Sequence, residues 1–564
     1  MSGNPLINPH TSKSRRRSAL VCLLLLGLVW FWGLGHRPLF NTDEGRYAEI
    51  PREMLVTGNW VTPRLDGLRY FEKPPLQYWA TAAAYAVFGV HDWTARLWTA
   101  LSSYLTILLT AFAAFKLYGS RAGWLAGAVL AGSFYFGFLG HFNTLDASLA
   151  FAMSLTLFGY VLGQRAPPGS RAELGWMLVA YGGAALAVLT KGLIGILLPG
   201  AVLVLYILLR RDWGRLRRLR PISGLGVFFL LTLPWFVAVS VQNHDFLWQF
   251  FMVQQFLRFL TPISHRPGPW WYFLPLLILA VLPWLYSAVR SLVDGASRVV
   301  ERDGRFSPDA FLWLWVVFIV FFFSISHSKL PSYVLPVTPA LAVLTGITLD
   351  RVLTTRWQWA AWGLSLLAGV FGLLVGALGS RLFHHVDPAM LQAYTPWFMA
   401  AGGLIVAFTI AAIFLRRKGY LVAVVTVAAS WVIATRLVMI GGAAFGPEYS
   451  TRGLVHAVAA YNRPGVPVYS VGGYQQTLPF YLRRTMILVA YQGELAFGID
   501  HARSSLEGRY MSSLQDFAAA WRAHSQGLAF VPRPVLPKVK ALGIHYRIVA
   551  ENPRWVALVP ETAS

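Results

Sequence analysis

The feature that most limits what this chain can fold into is a succession of apolar runs separated by short polar segments. They fall at roughly 18–34, 94–115, 122–140, 147–163, 173–190, 192–209, 222–241, 270–289, 308–326, 334–349, 358–379, 397–415 and 420–441. A helix rising 1.5 Å per residue needs about 20 such residues to cross a bilayer, and in lipid only helices or closed barrels satisfy every backbone polar group. The expected fold is therefore a polytopic α-helical membrane protein with about 13 transmembrane helices. Composition agrees: 56% of the 564 residues are hydrophobic and 13% charged, which excludes an ordinary soluble protein.

Charge sets the orientation. The net charge of +24 is distributed in short basic clusters between the apolar runs, which marks topology and lipid contact and speaks against nucleic acid as a partner. Lys13 and Arg15–Arg17 precede the first run, which lacks a small-residue cleavage pattern and reads as an uncleaved anchor. The run from Leu76 to Phe88 is too short to span. Counted as a surface helix, it leaves the N-terminus and the clusters at Lys116/Arg121, Arg165/Arg171, 210–220, Arg290–Arg305, Arg351/Arg356 and 416–418 on one, cytoplasmic side. The opposite side then holds a first loop (37–93), the segments 141–146, 242–269 and 327–333, and everything beyond Gly442. After that point the apolar runs shorten to VPVYSV, MILVA, LAFV and WVALV between polar helical stretches, the pattern of a soluble α/β domain. Two domains are expected, a membrane domain at 1–441 and an extracytoplasmic α/β domain at 442–564. The single cysteine, Cys22, excludes an internal disulfide.

The polar residues on the extracytoplasmic side carry the chemistry. Asp43 and Glu44 follow the first span, with Arg46 and Tyr47 beside them, and Tyr70, Glu72 and Lys73 close the same loop. Asp146 heads a span, where Asp also serves as a helix cap. Lys73, Lys191, Arg258 and Lys329 stand at extracytoplasmic helix ends against the positive-inside trend. Each alone fits a headgroup anchor, but four together suit a lipid-borne phosphate. Carboxylates facing cations, with Tyr333 and other aromatics between them, suit a reaction in which a lipid phosphate leaves as a sugar moves. No Walker, Rossmann or HExxH pattern occurs. No cofactor is required on this reading; a divalent metal ion remains open, with Glu72 and His265 as its candidate ligands. The absence of matching halves speaks against a transporter.

Seven segments in order, DEGRYAEIPREM, FEKPPLQYW, NTLDASLAF, LTKGLIGILLPG, QQFLRF, SKLPSYVLPVTPALA and YLRR…GELAFG, make the chain from about residue 18 to 500 resemble the 4-amino-4-deoxy-L-arabinose lipid A transferases, within the protein-mannosyltransferase-like group. The resemblance implies a C-type glycosyltransferase fold and an inverting transfer from undecaprenyl phosphate to a lipid A phosphate. It further implies a monomer of the bacterial inner membrane, with site and C-terminal domain periplasmic and the N-terminus cytoplasmic, that confers resistance to polymyxin and cationic peptides. By motif, Asp43 would be the principal catalytic acid and Asp146 the second; Lys73, Lys191 and Arg258 would contact the donor phosphate; Arg46, Tyr47, Tyr333 and Glu494 would line the cavity. Transfer of another sugar, such as mannose, to protein or glycan stays open, and a lipid or sugar flippase is the alternative from another class.

Overall fold

The computed structural model describes residues 9–257, 266–301, 305–353, 355, 358–502 and 508–561. Helix α1 (Pro9–Phe31) leads into a cap built from the first loop: α2 (Asp43–Thr57), a hairpin of β1 (Arg64–Leu65) and β2 (Leu68–Arg69), and α3 (Leu76–Phe88). At 13 residues α3 is too short to span, and it packs against α2 and the next helix with Gln77 and Tyr78 buried. The chain continues through α4 (Asp92–Tyr118), α5 (Ser120–Ala131), α6 (Phe134–Leu139), α7 (Asp146–Arg165), α8 (Arg171–Lys191), α9 (Ile194–Arg210) and α10 (Pro221–Gln242).

Among the described residues nine helices are long and apolar enough to cross a membrane, or ten if Phe273–Val281 and Leu285–Val300, bent by 113°, count as one. Three of the thirteen expected spans fall short of this by length. Ala19–Phe31 and Ile194–Arg210 are shorter apolar helices. The run 122–140 is broken where the Ser133 hydroxyl accepts a hydrogen bond from the Phe136 N–H (3.2 Å) and starts a new helix. The bend in the run 270–289 falls at Leu282–Trp284, where Pro283 supplies no N–H to continue the ladder.

Beyond Gly441 the chain folds into a six-stranded sheet, ordered β5-β4-β3-β6-β8-β7, of β3 (Val468–Val471), β4 (Ile487–Val489), β5 (Tyr510–Met511), β6 (Leu528–Pro532), β7 (Tyr546–Glu551) and β8 (Trp555–Pro560). The first four in space are parallel and β8 runs antiparallel to β6 and β7. Alternation along each strand gives the sheet two buried faces. Tyr469, Val471, Ala529, Val531 and Leu558 meet Phe517 and Trp521. Val468, Leu528, Phe530 and Val559 share a core with Tyr47, Ile50, Met54, Leu65, Leu68 and Tyr70 of the first loop. Loop and domain are thus one packed unit. Gly45 makes the contact possible, because a Cβ there would come within 2.6 Å of the 476–477 peptide. Asn41 closes the seam, its Oδ1 accepting from the Thr477 N–H and hydroxyl, both at 3.1 Å.

Candidate functional site

Successive residues of a helix point about 100° apart, so the adjacent acids that open α2 face different surroundings. Glu44 turns inward and is 2% exposed. Its two oxygens accept from Arg37 (2.6 and 3.0 Å) and Arg96 (2.8 and 3.0 Å), from the Phe40 N–H (2.9 Å) and from the Asn143 N–H (3.1 Å). Burial would raise its carboxyl, but the Arg37 and Arg96 guanidiniums outweigh that and hold it well below the usual carboxylate range. Arg37 lies over the rings of Phe40 and Phe142 at 4.3 and 4.2 Å. Gln77 extends the network, donating to Asn143 Oδ1 (3.0 Å) and accepting from the Ser148 hydroxyl (2.8 Å). These bonds tie the start of α2 to the segment that ends in Asp146.

Asp43 turns the other way, into a cavity of about 520 Å³. Its wall holds Asp43, Glu72 and Asp146 as acids, Arg46, Lys73, Lys191 and Arg266 as bases, and the rings of Tyr47 and Tyr333. Leu193, Ile194, Leu197, Leu198, Phe322 and Phe323 make one flank apolar. Arg46 donates to Asp43 Oδ1 (3.0 Å) and also pairs with Glu494, whose other oxygen accepts from Gln476 (2.6 Å). The Arg46 guanidinium lies 5.9 Å from the Tyr47 ring and 5.8 Å from the Tyr70 ring. Burial, with the Asp43 charge beside it, pushes the Tyr47 phenol well above its usual value and keeps it neutral.

On the facing wall Asp146, the first residue of α7, is paired with Lys191, the last of α8. The Lys191 ammonium sits 4.9 Å from the Tyr333 ring centre. Its place depends on Gly192, which adopts φ +86° with the Gln255 amide where a Cβ would stand. Gln255 fixes the turn by accepting from the Leu193 N–H (3.2 Å).

Of the residues singled out from sequence, Asp43, Arg46, Tyr47, Glu72, Lys73, Asp146, Lys191 and Tyr333 all reach this one cavity. Glu494 stands behind Arg46 without lining it. Three further residues expected at the substrate do not line this cavity and are engaged by the protein itself. Glu44 is consumed by Arg37 and Arg96. Tyr70 is 2% exposed and backs Arg46, its hydroxyl 3.5 Å from Glu494. The Lys329 ammonium donates to the carbonyls of Ser324 (2.8 Å) and Ser326 (2.7 Å), closing the end of the helix Pro308–Ile325. Arg258 and His265 lie outside the described residues, so the proposed Glu72–His265 ligand pair does too. Among the described residues no three of His, Cys, Asp and Glu group to hold a metal ion. Sequence reasoning missed Arg266, Gln254 and Gln255, which line the cavity, and Arg37 and Arg96, which organise it. Arg37 and Arg96 had a signal: in the topology expected from the charge distribution both are cations on the extracytoplasmic side, against the positive-inside trend.

Comparison with known proteins follows the same division of the chain. Residues 454–559 match the family model of the aminoarabinose transferase C-terminal domain, and residues 39–251 that of the dolichyl-phosphate-mannose-protein mannosyltransferases. The undecaprenyl phosphate-alpha-4-amino-4-deoxy-L-arabinose arabinosyl transferase of Aeromonas salmonicida is 33% identical over 349 residues, 62% of this chain and 62% of that protein. The enzyme of the same name from Pseudomonas aeruginosa (strain UCBPP-PA14) is 35% identical over 384 residues, 67% of this chain and 68% of its own length. The crystal structure of ArnT from Cupriavidus metallidurans bound to undecaprenyl phosphate superposes with a TM-score of 0.89 at 35% identity, covering 97% of this chain and 98% of that one. A likeness that holds both across two thirds of a relative's sequence and across nearly all of a solved fold places this chain in the aminoarabinose transferase family, membrane-embedded glycosyltransferases of the protein-mannosyltransferase type.

Proposed function

We propose that the chain transfers 4-amino-4-deoxy-L-arabinose from undecaprenyl phosphate to a phosphate of lipid A, at the periplasmic face of the bacterial inner membrane. The observation that carries this reading is the single cavity in which Asp43 and Asp146 face Lys73, Lys191 and Arg266 beside an apolar flank. A polyprenyl phosphate needs both halves: cations for the phosphate and an apolar wall for the first isoprene units. In the reaction an acceptor phosphate oxygen attacks the anomeric carbon, and the bond from that carbon to the donor phosphate oxygen breaks. The electron pair leaves on the donor, which departs as undecaprenyl phosphate. A single displacement inverts the anomeric centre. The acceptor needs no strong base, because a phosphate monoester with a second pKa of about 6 is largely dianionic at neutral pH.

Within that scheme Lys73, Lys191 and Arg266 stabilise the charge that gathers on the leaving phosphate. Asp43, turned into the cavity by α2 and held by Arg46, orients the sugar and opposes the positive charge that develops on its ring. Asp146 holds Lys191 in place. The test is mass spectrometry of lipid A from cells with and without the gene. An added aminopentose that depends on the gene is expected; a lipid A profile indifferent to the gene, or a gene-dependent hexose, refutes the reading.

A further inference from the structure

A second cleft, of about 860 Å³, opens at the other end of α2 and shares no lining residue with the first. Six arginines line it: Arg52, Arg64, Arg69, Arg483, Arg484 and Arg509. Only Arg52 has a carboxylate partner among the described residues, Glu49 at 2.6 Å. Four of the others are steered by carbonyls, which fix a guanidinium without neutralising it: Arg64 donates to Gly67 O (3.0 Å), Arg69 to His501 O (2.6 Å), Arg483 to Val90 O (2.5 Å) and Arg484 to Val466 O (2.9 Å). Among the described residues the one carboxylate in the lining is Glu53, which is raised well above its usual value by burial and by the nearby Glu49 and Asp66, so it adds no compensating charge.

The arrangement is costly when the cleft is empty. Arg64 and Arg69 are direct cross-strand partners in the β1–β2 hairpin, and like charges in that register repel. The hairpin is nevertheless held rigid: Glu53 accepts from the Gly67 N–H (2.9 Å) and Asp66 from the Met486 N–H (2.8 Å). Arg483 adopts φ 62°, a left-handed conformation that disfavours a residue with a side chain. A phosphate between such guanidiniums turns repulsion into paired, charge-assisted hydrogen bonds. The position says where the phosphate comes from. Gln242 and Asn243, at the extracytoplasmic end of α10, line the cleft and are tied to Thr62 at 3.2 and 2.8 Å. Below them α10 presents Leu230, Leu233, Val237 and Val241 outward, an exposed apolar face suited to lipid. The cleft therefore sits at headgroup height.

We propose that this cleft binds a phosphate on the headgroup of the acceptor glycolipid while the reacting phosphate of the same headgroup lies in the Asp43 cavity. The assignment rests on the lipid A reading above. From Asp43 to Arg52 along α2 is nine residues, about 14 Å, so the helix sets the spacing between the two sites. The test uses the full-length protein in nanodiscs with purified lipid A carrying two phosphates or one. For the double variant Arg64→Gln/Arg69→Gln, lipid A affinity should weaken at least about tenfold, with KM rising in step and kcat little changed. Undecaprenyl phosphate affinity should not move. Wild type should prefer the two-phosphate form by about tenfold and the variant should not; Arg509→Gln, an exposed substitution, should give a smaller shift of the same kind. Unchanged lipid A binding, or an equal loss of undecaprenyl phosphate binding, overturns the site. Competition by phosphatidylglycerol or by inorganic phosphate as effective as that by lipid A overturns its assignment to the glycolipid. Binding is read without turnover, so a wild-type protein that transfers no aminoarabinose refutes the proposed reaction and leaves the cleft to be judged separately.

Discussion

Glu44→Gln separates a carboxylate that builds the site from one that works in it. In the native structure the Glu44 oxygens take four guanidinium N–H bonds and two backbone N–H bonds, all buried except the part-buried bond from the Phe40 N–H. The amide is the same size but carries no charge, and one of its ends is a donor that faces donors. Arg37 and Arg96 would then be two buried cations without a counter-charge. Removing one partner of a buried ion pair costs about 3–5 kcal/mol, a large part of a typical stability of about 5–15 kcal/mol. Glu44→Gln should therefore lower the unfolding midpoint of the purified, detergent-solubilised protein well below wild type and reduce the amount recovered from the membrane. Glu44→Asp, which keeps the charge but shortens the reach, should fall between. Undecaprenyl phosphate affinity of the folded fraction, measured separately, should stay within a few fold of wild type. A Glu44→Gln protein as stable as wild type that has lost donor binding would refute this account and return Glu44 to the substrate site.

Asp43→Asn should leave folding and donor binding intact and lower kcat by roughly 10²-fold or more, as for loss of a group aimed at transition-state charge; turnover at the wild-type rate removes Asp43 from the mechanism. Lys191→Ala and Asp146→Asn should couple in a double-mutant cycle on kcat/KM by about 0.5–3 kcal/mol, because the two side chains are paired; strict additivity refutes the pairing. Burial pushes the Asp66 carboxyl up to about 8, so the folded state binds a proton the unfolded chain has released above about pH 4. That contribution is full below about pH 4 and is lost as pH rises through about 8. Asp66→Asn, which keeps the oxygen that accepts from Met486 N–H, should flatten the fall in stability between these values; an unchanged slope would show that Asp66 titrates normally. A reporter fused after Gly446 should report a periplasmic location and one within 210–220 a cytoplasmic one; the reverse pattern inverts the topology.

How much of this is visible in the sequence depends on whether the quantity is one-dimensional. The length of an apolar run is, and so the positions of the spans could be read directly, while their continuity could not. The breaks at Gly132–Ser133 and Leu282–Trp284 lie inside uniformly apolar stretches, where Ser133 and Pro283 were the available punctuation. Convergence of Asp43, Lys73, Asp146 and Lys191 on one cavity could also be inferred, because topology alone puts their helix ends on one side. The use of each charge could not. Lys329 and Lys191 both follow long apolar helices, yet one ammonium is spent on the carbonyls of its own helix end and the other reaches a carboxylate. Such a difference is set by which backbone groups the next turn leaves unpaired, and no spacing rule carries it.

The C-terminal domain shows why the site cannot be assigned to one domain. Among the described residues none beyond Pro336 lines the cavity, so by lining alone the domain is dispensable. By packing it is not. Arg46, the partner of Asp43, is also held by Glu494, and Glu494 is oriented by Gln476. The apolar side of α2, at Tyr47, Ile50 and Met54, is covered by the same sheet face that buries Phe530 and Val559. One helix therefore carries Asp43 into the cavity, Glu44 into the membrane-side core, Tyr47 and Ile50 under the sheet and Arg52 into the arginine cleft. Because the helix is rigid, a shift in any one of these contacts must move Asp43, and the geometry of the carboxylate proposed to act in catalysis is set by residues outside the cavity lining.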